Sequence, residues 1–182
     1  PVGEDQVPHI ELSRKIIRKF NKLYGTNITV PRAKVSEVGR LSGLDGNAKM
    51  GKSMGNAIYL SDSPEVVWQH VRKAVTDTSR VHAHMEGHPE VCNVYKYHQV
   101  FNPEEADEIC KGCTSAALSC FACKQRLNEV LNNLLEPMRE RRAYYENNID
   151  IVKELIHEGS KKANSIGNEN LERIKEKMHI LI

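Results

Sequence analysis

Two lysines, Lys49 and Lys52, lie close together in a glycine-rich stretch of this 182-residue chain. The run at 46–53 reads GNAKMGKS and fits the P-loop pattern, in which backbone N–H groups and a lysine bind nucleotide phosphates and a serine binds Mg²⁺. A P-loop also needs a buried strand before it and a helix after it. Here glycine and charged residues precede the run and a short apolar segment follows it. We therefore favour a loop whose two ammonium groups stabilise phosphates without P-loop geometry.

Cysteines form the second group of residues that could do chemistry. The five are Cys92, Cys110, Cys113, Cys120 and Cys123. An odd count without a secretion signal argues against a disulfide framework. Thiolates at C-x-x-C spacing converge on one soft ion, so the spacing favours metal binding. An iron–sulfur cluster, structural zinc and free thiols all remain open on the residues alone.

The loop lies within a predicted α/β segment. Apolar residues at helical spacing predict an amphipathic helix, namely Leu12, Ile16, Phe20 and Leu23. Gly25 ends this helix. The short runs at 28–30 and 57–60 are rich in β-branched and apolar residues and predict strands. We place this segment at residues 1–62.

Residues 63–182 are predicted to be all helical. Ser63 and Pro64 are typical of a helix start, and Asn102 is expected to cap another helix that begins at Pro103. A long helix follows, with Pro137 as a candidate kink. Histidines and Trp68 are assigned to packing or to the surface.

Charge and composition exclude some classes of protein. The chain has a net charge of +2, with ten basic against six acidic residues in 1–62 and a small acidic excess in 63–182. Phosphate-bearing partners are therefore drawn to the first third. Only 5% of residues are aromatic, which disfavours a stacking platform for single-stranded nucleic acid. No apolar run reaches the ~20 residues that a membrane span needs.

Two motifs carry a family resemblance. Lys49-Met50-Gly51-Lys52-Ser53 resembles the K-M-S-K-S signature of class I aminoacyl-tRNA synthetases, with Gly51 in the middle serine position. The segment at 1–12, PVGEDQVPHIEL, resembles the G-E-D-Q segment of bacterial tryptophanyl-tRNA synthetases. Further similarity at 43–45, 60–65 and 137–142 extends the resemblance over nearly the whole chain.

The resemblance implies roles for individual residues. The ATP-binding positions would be Gly3, Glu4, Asp5, Leu41, Lys49, Met50, Gly51, Lys52 and Ser53. Lys49 and Lys52 would be catalytic and stabilise the phosphates. Leu41 corresponds to the backbone position that holds adenine. Gln6 would lie near the amino-acid pocket.

The family also implies cofactors and partners. Some bacterial members carry a [4Fe–4S] cluster on one isolated cysteine followed by C-x6-C-x2-C. This implies Cys92, Cys113, Cys120 and Cys123 as ligands, with Cys110 as the alternative to Cys92. ATP with Mg²⁺, L-tryptophan and tRNA(Trp) would be the other ligands. The complete enzyme would be a cytoplasmic homodimer.

One family element is missing from this sequence. Class I enzymes need an H-I-G-H-type motif upstream of the signature loop, and no segment here qualifies. The chain begins at Pro1 without an initiator methionine. We therefore expect the C-terminal portion of a tryptophanyl-tRNA synthetase, inactive alone: the remainder of a Rossmann-type α/β catalytic domain, then a helical anticodon-binding domain. The chain would be mainly helical overall. Candidate contacts to the anticodon are Lys124, Arg126, Arg139, Arg141 and Arg142. The alternatives are a non-catalytic, metal-stabilised RNA-binding module and, less favoured, a P-loop nucleotidase.

Overall fold

The computed structural model describes residues 1–35, 41–47 and 50–180. Within them the α-helices are α1 Val7–Tyr24, α2 Pro64–Lys73, α3 Asn93–Phe101, α4 Ala106–Thr114, α5 Cys120–Asn147 and α6 Ile149–Lys177. Three short 3₁₀ turns are Glu4–Gln6, Lys52–Met54 and Pro89–Val91. The chain is therefore mainly helical, as predicted. None of the helices in these ranges combines the length and the apolar character that crossing a bilayer requires.

The chain forms two compact units. One consists of Pro1–Gly39 with Tyr145–Ile182, and the other of Arg40–Tyr144. The predicted domain boundary after residue 62 falls inside the second unit and stays a prediction.

Helix α1 organises the start of the first unit. It ends, as predicted, where Gly25 adopts a left-handed backbone conformation with φ of 61°. Its large apolar side chains remain exposed: Leu12 is 57%, Ile16 is 59% and Leu23 is 65% accessible. The apolar stripe that the periodicity predicted is present, but within its own unit it is uncovered.

The strand predicted at 28–30 does not form. A strand needs a neighbouring strand to take up its backbone groups. Here the Asn21 side chain does so instead, donating to Ile28 O at 2.9 Å and accepting from Ile28 N at 2.9 Å. Arg14 donates to Pro31 O at 2.6 Å. The β-pairing among the described residues consists of one isolated parallel bridge, Val2 with Val35.

The second unit has a core built by three helices and by residues of the loops that flank them. The buried apolar residues of this core cluster come from α2, α3, α5 and the loop before α2, and include Val67, Val71, Val94, Tyr97, Leu127, Leu131, Leu135 and Leu44. The predicted start of α2 is confirmed, because Ser63 Oγ accepts from Val66 N at 3.4 Å and Pro64 is the first helical residue.

Two predicted elements of the second unit differ from the structure. Residues 57–60 are not a strand: the turn at Tyr59 is closed by Asp62, whose carboxylate accepts from Tyr59 N at 2.8 Å. Helix α4 begins at Ala106 and not at Pro103. Asn102 fails as a cap because its amide donates to the Glu105 carboxylate at 3.0 Å instead of accepting from a backbone N–H.

A buried carboxylate shapes the loop between α2 and α3. Asp77 is only 6% exposed and accepts hydrogen bonds from Ser79 N at 2.8 Å and from Ser79 Oγ. Its other oxygen lies 2.8 Å from His88 Nδ1 and accepts from His88 N at 3.0 Å. The hydrogen bonds from Ser79, and then from His88, hold the pKa of Asp77 well below its ordinary 3.8. The hydrogen bond to Asp77 raises the pKa of His88 above its ordinary 6.5.

These shifts predict a pH-dependent stability. The contribution of Asp77 is present above pH 3.8 and is lost as the pH falls through its lowered value. That of His88 is complete below pH 6.5 and is lost as the pH rises through its raised value. We expect the urea midpoint to fall as the pH rises from 6.5 through the raised pKa of His88, and to fall less in His88→Gln. His84→Gln, in the same loop, is the matched control. Equal pH dependence in the two variants would contradict the assignment.

Candidate nucleotide loop and cysteine cavity

The base of the glycine-rich loop is closed by a hydrogen-bonded pair, Asp45 and Asn56. Asn56 Nδ2 donates to Asp45 Oδ1 at 2.9 Å, and Leu44 N donates to Asn56 O at 2.9 Å. Asn47 caps the same carboxylate, with N to Oδ1 at 3.0 Å and Nδ2 to Oδ2 at 2.6 Å. These bonds, the one from Asn56 first, lower the pKa of Asp45 and keep it ionised. We call this pair the loop clamp.

The loop clamp also reaches the signature motif. Asn56 is 4% exposed, and its Oδ1 accepts from Gly51 N at 3.1 Å. Met50 packs against the core cluster. The backbone of Lys52–Met54 forms a 3₁₀ turn that ends at Gly55, with φ of 62°. A P-loop lysine and serine would begin an α-helix, so this geometry disfavours the P-loop interpretation.

Helix α3 holds the other side of the loop base. Asn93 Nδ2 donates to Gly43 O at 2.7 Å, and Asn93 Oδ1 accepts from Ser42 Oγ. Tyr97 donates its hydroxyl to Ser42 O at 2.8 Å. Burial raises the pKa of Tyr97 to about 12, so this donor keeps its proton. Sequence reasoning missed Asn93, Tyr97 and Asn56, because each acts on backbone or on a residue distant in sequence.

The predicted ATP residues of the second unit lie on this framework. Leu41 is half-buried and packs against the core cluster. Met50 and Gly51 are half-buried, and Ser53 is exposed. Lys49 lies outside the described residues, and for Lys52 only the backbone is described. Both lysine assignments stay predictions.

The G-E-D-Q segment lies in the first unit. Gly3 precedes the 3₁₀ turn Glu4–Gln6, which leads directly into α1. All four side-chain positions are exposed, and Gln6 Nε2 donates to Asp5 Oδ2 at 3.1 Å. A Cβ on Gly3 would lie 2.7 Å from Asp5 Oδ1, so only glycine allows this turn without a shift of Asp5. The roles of these residues stay predictions.

Four cysteines line one small cavity. Its lining includes Cys92, Cys113, Cys120 and Cys123, and its volume is about 20 Å³. Cys110, the alternative ligand, is not among the lining residues. A Cβ on Gly87 would come within 2.5 Å of Cys113 Sγ, so the loop from α2 passes close to the sulfur. The C-x6-C-x2-C spacing and the isolated Cys92 thus converge in space.

Arg80 brings a positive charge to this cavity. Its Nη1 lies 4.0 Å from Cys113 Sγ and 3.9 Å from Cys120 Sγ, and donates to Leu118 O at 3.0 Å. Burial raises the pKa of Cys123 to about 12 and also raises that of Cys113. As they stand, the described residues contain no cluster of three or more histidine, cysteine or acidic side chains arranged as a metal site. The thiols are therefore gathered but not arranged around an ion.

Three of the basic residues considered for RNA recognition have partners within the fold. Lys124 Nζ donates to Arg72 O at 2.8 Å, and burial lowers the pKa of Lys124. Arg126 pairs with Glu108 at 2.9 Å. Arg139 donates to Asp62 O at 2.8 Å and to Asn132 Oδ1 at 2.7 Å. The side chain of Arg139 is only 14% exposed, and the RNA role of these residues stays a prediction.

Comparisons with known proteins show which family the chain belongs to. The family model for class I tRNA synthetases (W and Y) matches residues 1–136. The chain is 41% identical over 182 residues to a tryptophan–tRNA ligase of Aquifex aeolicus, covering 99% of this chain and 46% of that protein. It is 39% identical to the tryptophan–tRNA ligase of Thermotoga maritima, covering 100% and 56%.

A solved structure is also similar. The tryptophanyl-tRNA synthetase of Campylobacter jejuni, complexed with ADP and tryptophan, matches with a TM-score of 0.77 and 30% identity, covering 99% of this chain and 56% of that one. The chain belongs to the class I tRNA synthetases for tryptophan and tyrosine. Within that family, its resemblance to the bacterial-type tryptophanyl enzymes is confirmed. The chain spans about half the length of the curated relatives it matches.

The loop clamp predicts different tolerance at two glycines of one loop. A Cβ on Gly43 would lie 2.6 Å from Asn56 Cγ and 2.7 Å from Asp45 Oδ1, whereas one on Gly51 would have no atom within 4 Å. We expect Gly43→Ala to lower the free energy of unfolding by about 1–3 kcal/mol, as overpacking does. Gly51→Ala should change it by less than ~0.5 kcal/mol. Urea unfolding of both variants checks this, and equal losses would refute the clamp.

Proposed function

We propose that this chain is the C-terminal portion of a tryptophanyl-tRNA synthetase. The whole enzyme joins L-tryptophan to ATP, releasing pyrophosphate, and then passes the tryptophanyl group from the adenylate to tRNA(Trp). The observation that carries this proposal is the loop clamp, which fixes the base of the signature loop in a chain of the matching family. The complete protein would be cytoplasmic and a homodimer.

The proposed chemistry needs positioning and charge, with no protein nucleophile. The tryptophan carboxylate attacks the α-phosphorus of ATP, and the bond to the β-phosphate oxygen breaks. Negative charge then builds on the leaving pyrophosphate. Lys49 and Lys52 would stabilise that charge together with Mg²⁺. The loop clamp would fix both ends of the short segment that carries them.

The nucleoside contacts are assigned to two places in the chain. Gly3 would let the backbone approach the ribose, and the carboxylates of Glu4 and Asp5 would accept its hydroxyl hydrogen bonds. Leu41 would hold adenine through its backbone, and Gln6 would lie beside tryptophan. The exposed turn at Glu4–Gln6 and the exposed apolar stripe of α1 support a larger active site completed by further protein.

Ligand binding to the cysteine cavity is a separate proposal. Four thiols facing one cavity, with the Arg80 guanidinium beside two of them, fit a [4Fe–4S] cluster in donor type, donor number and charge compensation. Zinc is the second choice. Either group would have to open the 20 Å³ cavity. When bound, it would join α3 to α4 and α5 through their cysteines; no step of tryptophan activation is assigned to it.

Tryptophan-dependent ATP–pyrophosphate exchange tests the enzymatic proposal. In the full-length protein we expect exchange, and a loss of ~100-fold or more in kcat for Lys49→Ala and for Lys52→Ala, because each removes a phosphate-stabilising charge. Lys153→Ala, on the exposed surface of α6 beside Asp150, is the control and should match wild type. A full-length protein that binds tRNA but shows no exchange would favour the non-catalytic RNA-binding module instead.

Anaerobic purification tests the cysteine proposal. We expect a broad absorbance near ~400 nm and about four irons per chain. Cys113→Ser and Cys123→Ser should abolish both signals. Cys110→Ser is the matched control and should retain them, since Cys110 does not line the cavity. If the protein instead carries stoichiometric zinc, the site is a structural zinc site. If it carries neither iron nor zinc, the cysteines are free thiols.

A further inference from the structure

Two buried polar side chains of α3 bind the backbone that leads into the nucleotide loop. Asn93 is 4% and Tyr97 3% exposed. Asn93 takes both a donor and an acceptor role toward Ser42 and Gly43, and Tyr97 donates to the Ser42 carbonyl at 2.8 Å. A position that served packing alone would be apolar, since burying an amide or a hydroxyl costs free energy unless it is hydrogen-bonded. Their hydrogen-bonding groups are matched to the two carbonyls at 42–43 and to the Ser42 hydroxyl.

A continuous set of hydrogen bonds connects this backbone to the signature motif. Gly43 is followed by Leu44 and Asp45, and both of these bind Asn56. Asn56 in turn accepts from Gly51 N at 3.1 Å. Gly43 has no room for a Cβ against Asn56, so the contact is close as well as bonded. A shift of the chain at 42–43 would therefore disturb the loop at Gly51.

We propose that Asn93 and Tyr97 are positioning residues for ATP. They hold Ser42 and Gly43, directly after Leu41, where the adenine is assigned, and so fix the base of the loop that carries Lys49 and Lys52. The inference rests on the proposed function for the identity of the nucleotide. It adds two residues from the helical part of the chain to a nucleotide site whose assigned residues otherwise all lie within 1–62.

The effect should be specific for ATP. Gln6, the residue predicted to lie near the amino-acid pocket, belongs to the other compact unit. Loosening the backbone at 42–43 should therefore weaken ATP binding and leave tryptophan binding unchanged. A purely structural role would lower thermal stability without separating the two substrates. The KM values for ATP and for tryptophan thus distinguish positioning from packing.

Tyr97→Phe in the full-length enzyme is the primary test, because it removes one hydroxyl and keeps the ring in the core. We expect the KM for ATP in pyrophosphate exchange to rise about five-fold, as for loss of one net hydrogen bond. The KM for tryptophan should stay within two-fold of wild type. The matched control is Tyr95→Phe on the same helix. Its hydroxyl interacts with Cys110 and Gln99.

Ser42→Ala is the second variant, and it keeps the proposal testable if Tyr97→Phe does not fold. This change removes the hydroxyl that donates a hydrogen bond to Asn93 Oδ1, and it disturbs no buried aromatic ring. Calorimetric titration with ATP repeats the comparison without turnover. An unchanged KM for ATP in folded Ser42→Ala and Tyr97→Phe would overturn the proposal. Wild-type protein without exchange, but with ATP binding that both variants weaken, would overturn the synthetase function and leave the positioning role standing.

Discussion

The candidate nucleotide site depends on the hydrogen bonds that the ionised carboxylate of Asp45 accepts. It accepts from the side chain of Asn56 across the loop and from Asn47 on its own side. A loop with several glycines loses much conformational entropy when its ends are fixed. Hydrogen bonds to a charged acceptor are about twice as strong as neutral ones, so this carboxylate is well suited to offset that cost. It fixes the ends of the segment that would bind phosphates.

Local features of the sequence predicted the elements that local chemistry forms. Gly25 ends α1 because glycine adopts the left-handed conformation, and Ser63 with Pro64 begins α2 through a side-chain cap. The strand predicted at 28–30 failed for the opposite reason. Its β-branched residues have strand propensity, but propensity does not supply a neighbouring strand, and the side chain of Asn21 binds the backbone there. The Rossmann part of the fold therefore remains a proposal.

The candidate sites were predictable only as far as their motifs are contiguous. The family resemblance implied as ligands the four cysteines that line the cavity. Arg80 contacts Cys113, which lies 33 residues later in the sequence. Asn93 binds Gly43, which lies 50 residues earlier. No local pattern connects such pairs, because the fold alone brings them together. Physical chemistry predicts that buried thiols and carbonyls need partners, but the fold determines which residue supplies them.

Helix α3 joins the two candidate sites at its first residue. Cys92 lines the cysteine cavity and precedes the helix directly, while Asn93 begins the helix and binds the Gly43 carbonyl. The buried ring of Tyr97, one helical turn on, resists rotation of the helix because its hydroxyl is bound to Ser42. The same turn of α3 therefore borders the cysteine cavity at Cys92 and holds the base of the nucleotide loop through Asn93 and Tyr97.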